Sequence, residues 1–288
     1  MTEEQKAYHR KWYAEHKAEV NKRYNAMYQR KKRQISERRK ELRGTVRRKV
    51  SRLDRPVIIT GTSSGIGLAT AKKFLEQGFT VIGIDVKSSA IPLDSAITRP
   101  TTEQPCRSYT HHIADVSKPE TLPNIKNAAI IINNAGTIDE DKAVAVNLEG
   151  YINVAEKYAF QPNIRCVVNV GSISGHVGLD TPKYAAAQGG RLAYTKNLAI
   201  RLGNQYKARV NSISPGAVLS GLEPHLYEHT DLVQAVANEN LLKKWIDPEE
   251  IAEWIYFLAV VDKSMTGQDI LIDNGEVANY NFVTAGER

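Results

Sequence analysis

Short runs of β-branched and aliphatic residues alternate with longer amphipathic segments along the chain from about residue 56 onward. Such runs are typical of strands buried in a sheet, and the longer segments, with apolar residues at helical spacing, are typical of helices. This regular alternation predicts an α/β fold, a doubly wound parallel sheet with helices on both faces. The predicted strands are VIIT, TVIGID, SYTHHI, AAIII, CVVNV, ARVNSI and DILID, and the predicted helices cover 65–77, 143–160, 183–203 and 247–260.

The first 50 residues have a different composition from the rest of the chain. They hold 17 Lys and Arg against 6 Asp and Glu, a net charge of +11, whereas residues 51–288 hold 22 against 26, a net charge of −4. This part contains no Pro, and its abundant Lys, Arg, Glu and Ala favour helix. The sequence therefore predicts a basic helical extension over 1–52 and a separate domain over 53–288.

The charge of the extension is compatible with three roles. It could be a solvated basic helix without a partner, or a contact with nucleic acid or the ribosome, in which Lys and Arg bind phosphates and interleaved Tyr and Trp stack on bases. It could also bind an anionic membrane surface or an acidic partner. The charge run by itself does not choose among them.

The composition argues against several other classes of protein. No apolar run approaches the ~20 residues that span a membrane. The N-terminus is charged from its start, which is not typical of a secretory signal. Two cysteines, Cys106 and Cys166, provide neither a disulfide framework nor a metal-ligand spacing, so no metal site is predicted, and Cys166 is expected to be a buried thiol. A reducing, cytoplasmic compartment is expected.

A glycine-rich turn, TGTSSGIG, joins the first predicted strand to the first predicted helix. Gly61 permits the tight turn, while Gly65 and Gly67 let the backbone approach a pyrophosphate and let the helix pack close to the sheet. The helix N-terminus then offers unpaired N–H donors and a partial positive charge. The strand and helix context favours a dinucleotide site over an ordinary glycine-rich turn.

Asp85 ends the second predicted strand. A carboxylate there binds the ribose hydroxyls of NAD and repels the 2′-phosphate of NADP. The glycine loop offers no Arg or Lys to pair with such a phosphate. The sequence therefore favours NAD over NADP, and the alternative role for Asp85 is that of a turn aspartate.

Further motifs follow in a fixed order, and together they resemble the short-chain dehydrogenase/reductases from about residue 55 to about residue 275. The resemblance does not cover the basic extension. Besides TGTSSGIG, the motifs are ADV at 114–116, NNAG at 133–136, VNLEG at 146–150, NVGSISG at 169–175, YAAAQ at 184–188, SPG at 214–216 and TGQDILIDNG at 266–275.

The resemblance implies a Rossmann fold with NAD as cofactor and a set of residues that contact it. It also implies that Tyr184 exchanges a proton with the substrate oxygen, that Ser172 orients this oxygen, and that Asn147 holds a water in a proton relay. The alternatives are a strand-end serine bonded to backbone and a helix-bend asparagine. The implied cofactor contacts are Gly61, Ser63, Ser64, Gly65, Ile66, Gly67, Asp85, Asp115, Val116, Asn134, Ala135, Gly136, Tyr184, Pro215, Gly216 and Val218.

One departure from the family pattern affects the chemistry. The family motif is Tyr-x-x-x-Lys, and Gln188 takes the place of the lysine. A free tyrosine has a pKa of about 10, and the lysine favours the tyrosinate with a fixed positive charge. Glutamine can hydrogen-bond the nicotinamide ribose but supplies no charge. Neither Lys183 nor Lys196 is expected to replace the missing lysine.

A second departure concerns length. Ten residues separate Gly136 from Asn147, about half of what the family usually has, so a surface helix beside the site is expected to be missing. The segment 217–245 is expected to form the substrate lid.

The leading hypothesis is a NAD-dependent oxidoreductase for a small alcohol or carbonyl substrate, forming a homodimer or homotetramer through the helices 143–160 and 183–203. The alternative is a catalytically impaired NAD-binding protein whose basic extension binds nucleic acid, the ribosome or another acidic partner.

Overall fold

The chain is described by a computed structural model over residues 56–91, 108–178, 180–220 and 230–279. The predicted extension and Cys106 lie outside these residues. Within them, seven strands form one parallel sheet in the order β3-β2-β1-β4-β5-β6-β7. The strands are β1 Val57–Thr60, β2 Val81–Asp85, β3 Tyr109–Ile113, β4 Ile130–Asn133, β5 Cys166–Val170, β6 Arg209–Pro215 and β7 Asp269–Ile272.

The helices cover both faces of this sheet. Their bounds are α1 Gly65–Glu76, α2 Glu140–Val144, α3 Gly150–Tyr158, α4 Ser174–Val177, α5 Pro182–Tyr206, α6 Thr230–Asn238 and α7 Pro248–Tyr256, with a 3₁₀ turn at Pro119–Thr121 and π-helical segments at Ala145–Glu149 and Phe257–Val261. Neighbouring residues of β1 point to opposite faces: Ile59 joins the core beneath α1 and α7, and Ile58 joins the core beneath α3 and α5. The predicted doubly wound α/β fold is confirmed.

The sheet order reverses beside β1, which pairs with β2 on one side and β4 on the other. The chain connections on the β2 side and on the β4 side of β1 run in opposite directions. A crevice therefore opens beyond the carboxyl ends of these strands. The glycine-rich turn after β1 lies at this point. The topology therefore places the predicted ligand site where doubly wound sheets bind their ligands.

The short connection after β4 has a definite structure. The five-residue α2 passes directly into the π-helical segment Ala145–Glu149 and then into α3. The amide of Gly150 donates to the carbonyl of Ala145, five residues earlier, which is the π-helical pattern. No separate longer helix precedes α3 in this described stretch, in agreement with the sequence prediction.

Two further predictions concern single features of the chain. Cys166 is fully buried as a free thiol, and burial raises its pKa to about 12. In the part of the chain that the structure describes, no helix is long and apolar enough to cross a membrane.

Candidate active site

A cleft of about 560 Å³ opens at the carboxyl ends of the central strands. It brings together residues from the glycine loop, from the ends of β2 and β4, and from α5. The predicted site residues in its lining are Gly61, Ser64, Gly65, Ile66, Asp85, Asp115, Val116, Asn134, Ala135, Gly136, Asn147, Tyr184 and Gln188. Those outside its lining are Ser63, Gly67, Ser172, Pro215, Gly216 and Val218.

The glycine loop is built by close backbone contacts. A Cβ on Gly67 would lie 2.0 Å from the carbonyl oxygen of Gly61, so only glycine lets α1 start this close to β1. Ser64, at the N-cap of α1, makes no side-chain capping bond, and the first amides of the helix keep their donors for an anion. The Asn134 side chain donates to the carbonyl of Thr60 at 3.0 Å and holds the end of β1 in place.

Asp85 ties the second strand to this loop. One carboxylate oxygen accepts from the Ser63 amide at 2.9 Å, and the other accepts from the Lys87 amide at 2.9 Å. Each oxygen keeps acceptor capacity for a further donor, because an ionised carboxylate has about four lone-pair sites. The side chain of Asp85 is thus oriented at the edge of the cleft.

Asp115 occupies the same side of the cleft. Its Oδ1 accepts from the amide and the hydroxyl of Ser117, at 3.0 and 2.7 Å. Burial acts to raise the pKa of Asp115, but the bonds from Ser117 and the charge of Lys118 outweigh it and lower the pKa. The residue is therefore a carboxylate at neutral pH. Its second oxygen, Oδ2, lies 3.7 Å from Lys118 Nζ.

A carboxylate from the shortened connection caps the helix that carries Tyr184. Glu140 accepts from the amides of Lys183 and Tyr184 at 3.0 and 2.9 Å. Amides at a helix N-terminus lack intrahelical partners, and a negative charge there also complements the helix dipole. The connection that lacks a longer helix thus holds the start of α5 directly.

Gln188 lies one helical turn after Tyr184 and is only 3% exposed. Its Oε1 is buried and has no hydrogen-bond partner in the described part of the chain. Gly175 explains this tight packing, since a Cβ there would lie 2.9 Å from the Gln188 carbonyl carbon. Because Gln188 lines the cleft, its orphaned acceptor is a place where a ligand hydroxyl could donate.

The side chains of Asn147 and Ser172 both bond to the backbone. Such bonds fit the alternative interpretations of these residues, a helix-bend asparagine and a strand-end serine. The Asn147 side chain accepts from the Thr137 amide at 2.9 Å and donates to the Thr137 carbonyl at 2.8 Å. The Ser172 hydroxyl accepts from the Ser174 amide at 3.2 Å. These three bonds hold the two side chains in place.

Two residues at the base of the cleft were missed by the sequence reasoning. Arg191 is 2% exposed, and its Nε and one terminal nitrogen donate to the Asn147 carbonyl at 3.0 and 2.8 Å. Its other terminal nitrogen donates to the Val170 carbonyl. Tyr151, on α3, donates to the same carbonyl at 2.9 Å and presents its ring face to the guanidinium. The spacing of seven residues places Arg191 on the same helix face as Tyr184, but this spacing alone does not separate a buried arginine from a solvated one.

Two lysines near Gln188 on α5 lie outside the lining of the cleft. Lys183 is exposed and pairs with Asp141 at 2.9 Å, and Lys196 is exposed on α5. This agrees with the expectation from their positions along the helix.

The segment expected to form the lid begins over the cofactor loop. A Cβ on Gly65 would lie 2.6 Å from the carbonyl oxygen of Ser220, which also lines the cleft. Residues 221–229 lie outside the described part of the chain. The described remainder of the segment includes α6.

Comparisons with known proteins agree with this geometry. A family model described as enoyl-(acyl carrier protein) reductase matches residues 61–276. An uncharacterised oxidoreductase of Schizosaccharomyces pombe is 30% identical over 249 residues, covering 78% of this chain and 91% of its own. The 3-oxoacyl-[acyl-carrier-protein] reductase of Thermotoga maritima is 30% identical over 245 residues, covering 76% and 96%.

A solved structure, 4-hydroxyisoleucine dehydrogenase complexed with NADH, is 28% identical, with a TM-score of 0.67 and coverage of 78% of this chain and 100% of that one. The fold, the motifs and these matches define an oxidoreductase. The chain belongs to the short-chain dehydrogenase/reductases.

Proposed function

We propose that this protein transfers hydride between NAD(H) and a small alcohol or carbonyl compound, with Tyr184 exchanging the proton. The observation that carries the proposal is the convergence of Tyr184, the glycine loop and Asp85 on one cleft. A proton donor thus lies in the cleft whose other end fits a dinucleotide. The motifs of an oxidoreductase family supply the same assignment of roles.

The residues present fit a nicotinamide dinucleotide. The free amides at the start of α1 suit its pyrophosphate, and the orphaned Oε1 of Gln188 suits a ribose hydroxyl. Asp85 suits the hydroxyls of the second ribose and disfavours a 2′-phosphate. Lys87 also lines this end of the cleft, so the preference for NAD depends on the Asp85 carboxylate. The similar 4-hydroxyisoleucine dehydrogenase was solved with NADH.

The chemistry of the chain's own residues is then a proton transfer beside a hydride transfer. The cofactor, when bound, donates or accepts the hydride. Tyr184 donates its hydroxyl proton to the substrate oxygen during reduction and takes it back during oxidation. Ser172 donates a hydrogen bond to the same oxygen, and Gln188 holds the ribose. Glu140 fixes the helix that presents Tyr184.

The test is NADH oxidation with a panel of ketones and aldehydes, run with the natural chain, Tyr184→Phe and Gln188→Lys. Turnover by the natural chain that disappears in Tyr184→Phe supports the proposal. Tight NAD binding without turnover in the natural chain, alongside strong turnover in Gln188→Lys, contradicts it. That result would favour a protein that keeps the cofactor and has lost the chemistry.

Two predictions concern association with other molecules. The family resemblance supports a homo-oligomer that packs through α3 and α5, and light scattering on the purified chain measures its number of subunits. The +11 charge of residues 1–50 supports contact with an anionic macromolecule. A salt-dependent mobility shift of RNA or DNA that disappears on deletion of these residues tests this, and no shift at low salt rejects nucleic acid. The cytoplasmic location stays a prediction.

A further inference from the structure

We infer that Arg191 supplies, from inside the core, the fixed positive charge that Gln188 cannot supply to Tyr184. On this view the chain has moved the charge along the helix instead of losing it. The inference rests on the proposed role of Tyr184 as the proton-exchanging residue. Arg191 acts through Tyr184 and is a positioning residue in the electrostatic sense.

The first support is the geometry of α5. Residues seven apart lie on one face of a helix, two turns from each other. Helical side chains tilt toward the N-terminus, so Arg191 extends back toward Gln188 and Tyr184. Its guanidinium donates to the carbonyl of Val170, the residue before Gly171. A Cβ added at Gly171 would lie 3.9 Å from Gln188 Oε1. Tyr184, Gln188 and Arg191 all line the same cleft.

The second support is the state of the Arg191 charge. Its guanidinium nitrogens donate to two backbone carbonyls, and its Cζ lies 3.8 Å from the Tyr151 ring centroid. No carboxylate in the described ranges forms an ion pair with it. Burying a cation without a counter-ion is unfavourable, yet a guanidinium stays protonated. An anion formed within reach of this charge would therefore be stabilised, and Tyr184 lines the same cleft as Arg191.

The electrostatics of the neighbouring groups agree. Burial lowers the pKa of Arg191, while Tyr151 and Tyr184 each raise it. Tyr151 itself stays neutral, since burial raises its pKa to about 12 against the opposing effect of Arg191. Tyr151 thus shields the cation without neutralising it.

Other charges face Tyr184 from the elements around it. Glu140 accepts from its amide and is negative, which opposes a tyrosinate. Lys142, on α2, lines the cleft, but its side chain is 70% exposed and pairs with Asp139 at 2.7 Å. Lys183 is exposed and paired with Asp141. Water and salt screen exposed pairs of this kind, and they screen a buried charge much less.

The test follows the ionisation of Tyr184 without any substrate. Tyrosinate absorbance is titrated against pH in the NAD complex, and the same curve for Tyr184→Phe is subtracted because the chain has 13 tyrosines. Arg191→Gln removes the charge and keeps amide donors for the carbonyls. Arg201→Gln is the matched control, since Arg201 lies on the same helix, outside the cleft, and pairs with Glu156.

Arg191→Gln is expected to move the pH midpoint of the Tyr184 signal upward by about one unit or more, as loss of a nearby opposite charge does. Arg201→Gln and Arg191→Lys leave the midpoint near its original value. The double variant Arg191→Gln with Gln188→Lys moves it back. An unchanged midpoint in folded, NAD-binding Arg191→Gln, or a shift produced by Lys142→Gln instead, overturns the inference.

Two further readouts keep the test decisive. If Arg191→Gln does not fold, the natural chain is titrated at low and high salt: a buried charge predicts a nearly constant midpoint, and a strong salt dependence assigns the effect to an exposed lysine. Turnover with the carbonyl panel is recorded separately. Turnover with an unmoved midpoint overturns only the role of Arg191, whereas a moved midpoint without turnover overturns only the proposed reaction.

Discussion

The guanidinium of Arg191 lies 3.8 Å from the centroid of the Tyr151 ring, and both side chains donate to the carbonyl of Val170. The pair joins α5, α3 and the end of β5 at the base of the cleft. A ring face attracts a cation that is kept from water, so the contact stabilises the buried charge. The site therefore contains a cation even though the motif lysine is absent.

Removal of the Tyr184 hydroxyl tests its chemical role. Tyr184→Phe is expected to reduce turnover by about 100-fold or more, the usual effect of losing a general acid, while NAD binding stays the same. Both are measured by NADH absorbance and by fluorescence titration. Tyr194→Phe, on the same helix, is the control, because the Tyr194 hydroxyl is buried without a partner in the described residues and its removal leaves nothing unpaired. Equal losses in both variants would contradict a special role for Tyr184.

The cap on α5 is expected to contribute to stability. Glu140→Ala leaves the amides of Lys183 and Tyr184 without their acceptor, and the free energy of unfolding should fall by about 1 kcal/mol. Urea unfolding measures the change. Glu149→Ala, at an exposed position on the neighbouring π-helical segment, should have a much smaller effect. The same loss in both variants would argue against the cap.

The cofactor preference is expected to depend on Asp85. Asp85→Ser should weaken NAD binding about tenfold or more, because hydrogen bonds to a charged group contribute about 1.5–3 kcal/mol each. Binding of NADP should strengthen in the same variant as the repulsion of the 2′-phosphate is removed. Titration of both cofactors against one preparation provides an internal control. Parallel losses for NAD and NADP would indicate a structural role through the Ser63 amide.

Two glycines at the contact of α4 and α5 should respond in opposite ways to alanine. Gly175→Ala places a Cβ 2.9 Å from the Gln188 carbonyl carbon, and we expect a loss of about 1–3 kcal/mol from overpacking. Gly189→Ala places its Cβ 3.8 Å from the Gly175 carbonyl oxygen. Because Gly189 lies inside α5, this change should raise the free energy of unfolding by about 0.5–1 kcal/mol. Thermal and urea unfolding compare the two. Similar effects would mean that the close approach at Gly175 is not required.

The acid stability of the domain should depend on Asp262. Burial acts to raise its pKa, but bonds from the Ser264 and Met265 amides and the charge of Arg209 outweigh this and lower it. A lowered folded pKa stabilises the protein above about pH 4, the unfolded value, and this contribution is lost as the pH falls through the folded value. Asp262→Asn should therefore lower stability at neutral pH and flatten the decline below about pH 4. Asp139→Asn, in an exposed pair, is the control.

The sequence by itself determined the fold, the cofactor loop and the position of Tyr184. These features follow from local patterns, since hydrophobic periodicity sets the strands and helices, and the motif spacings place residues at the ends of neighbouring parallel strands. Asp85 and the glycine loop could be assigned to one site because parallel strands end at the same edge of the sheet. The absence of a charge at Gln188 was equally visible.

Only the tertiary structure decided what surrounds Tyr184. Arg191 binds carbonyls 44 and 21 residues away in the chain, and Glu140 binds the Tyr184 amide across 44 residues. No local pattern distinguishes such an arginine from a solvated one on the same helix, because its burial depends on α3 and β5 packing against α5. Electrostatic effects depend on distance and burial in space, and the spacing of residues along the chain specifies neither.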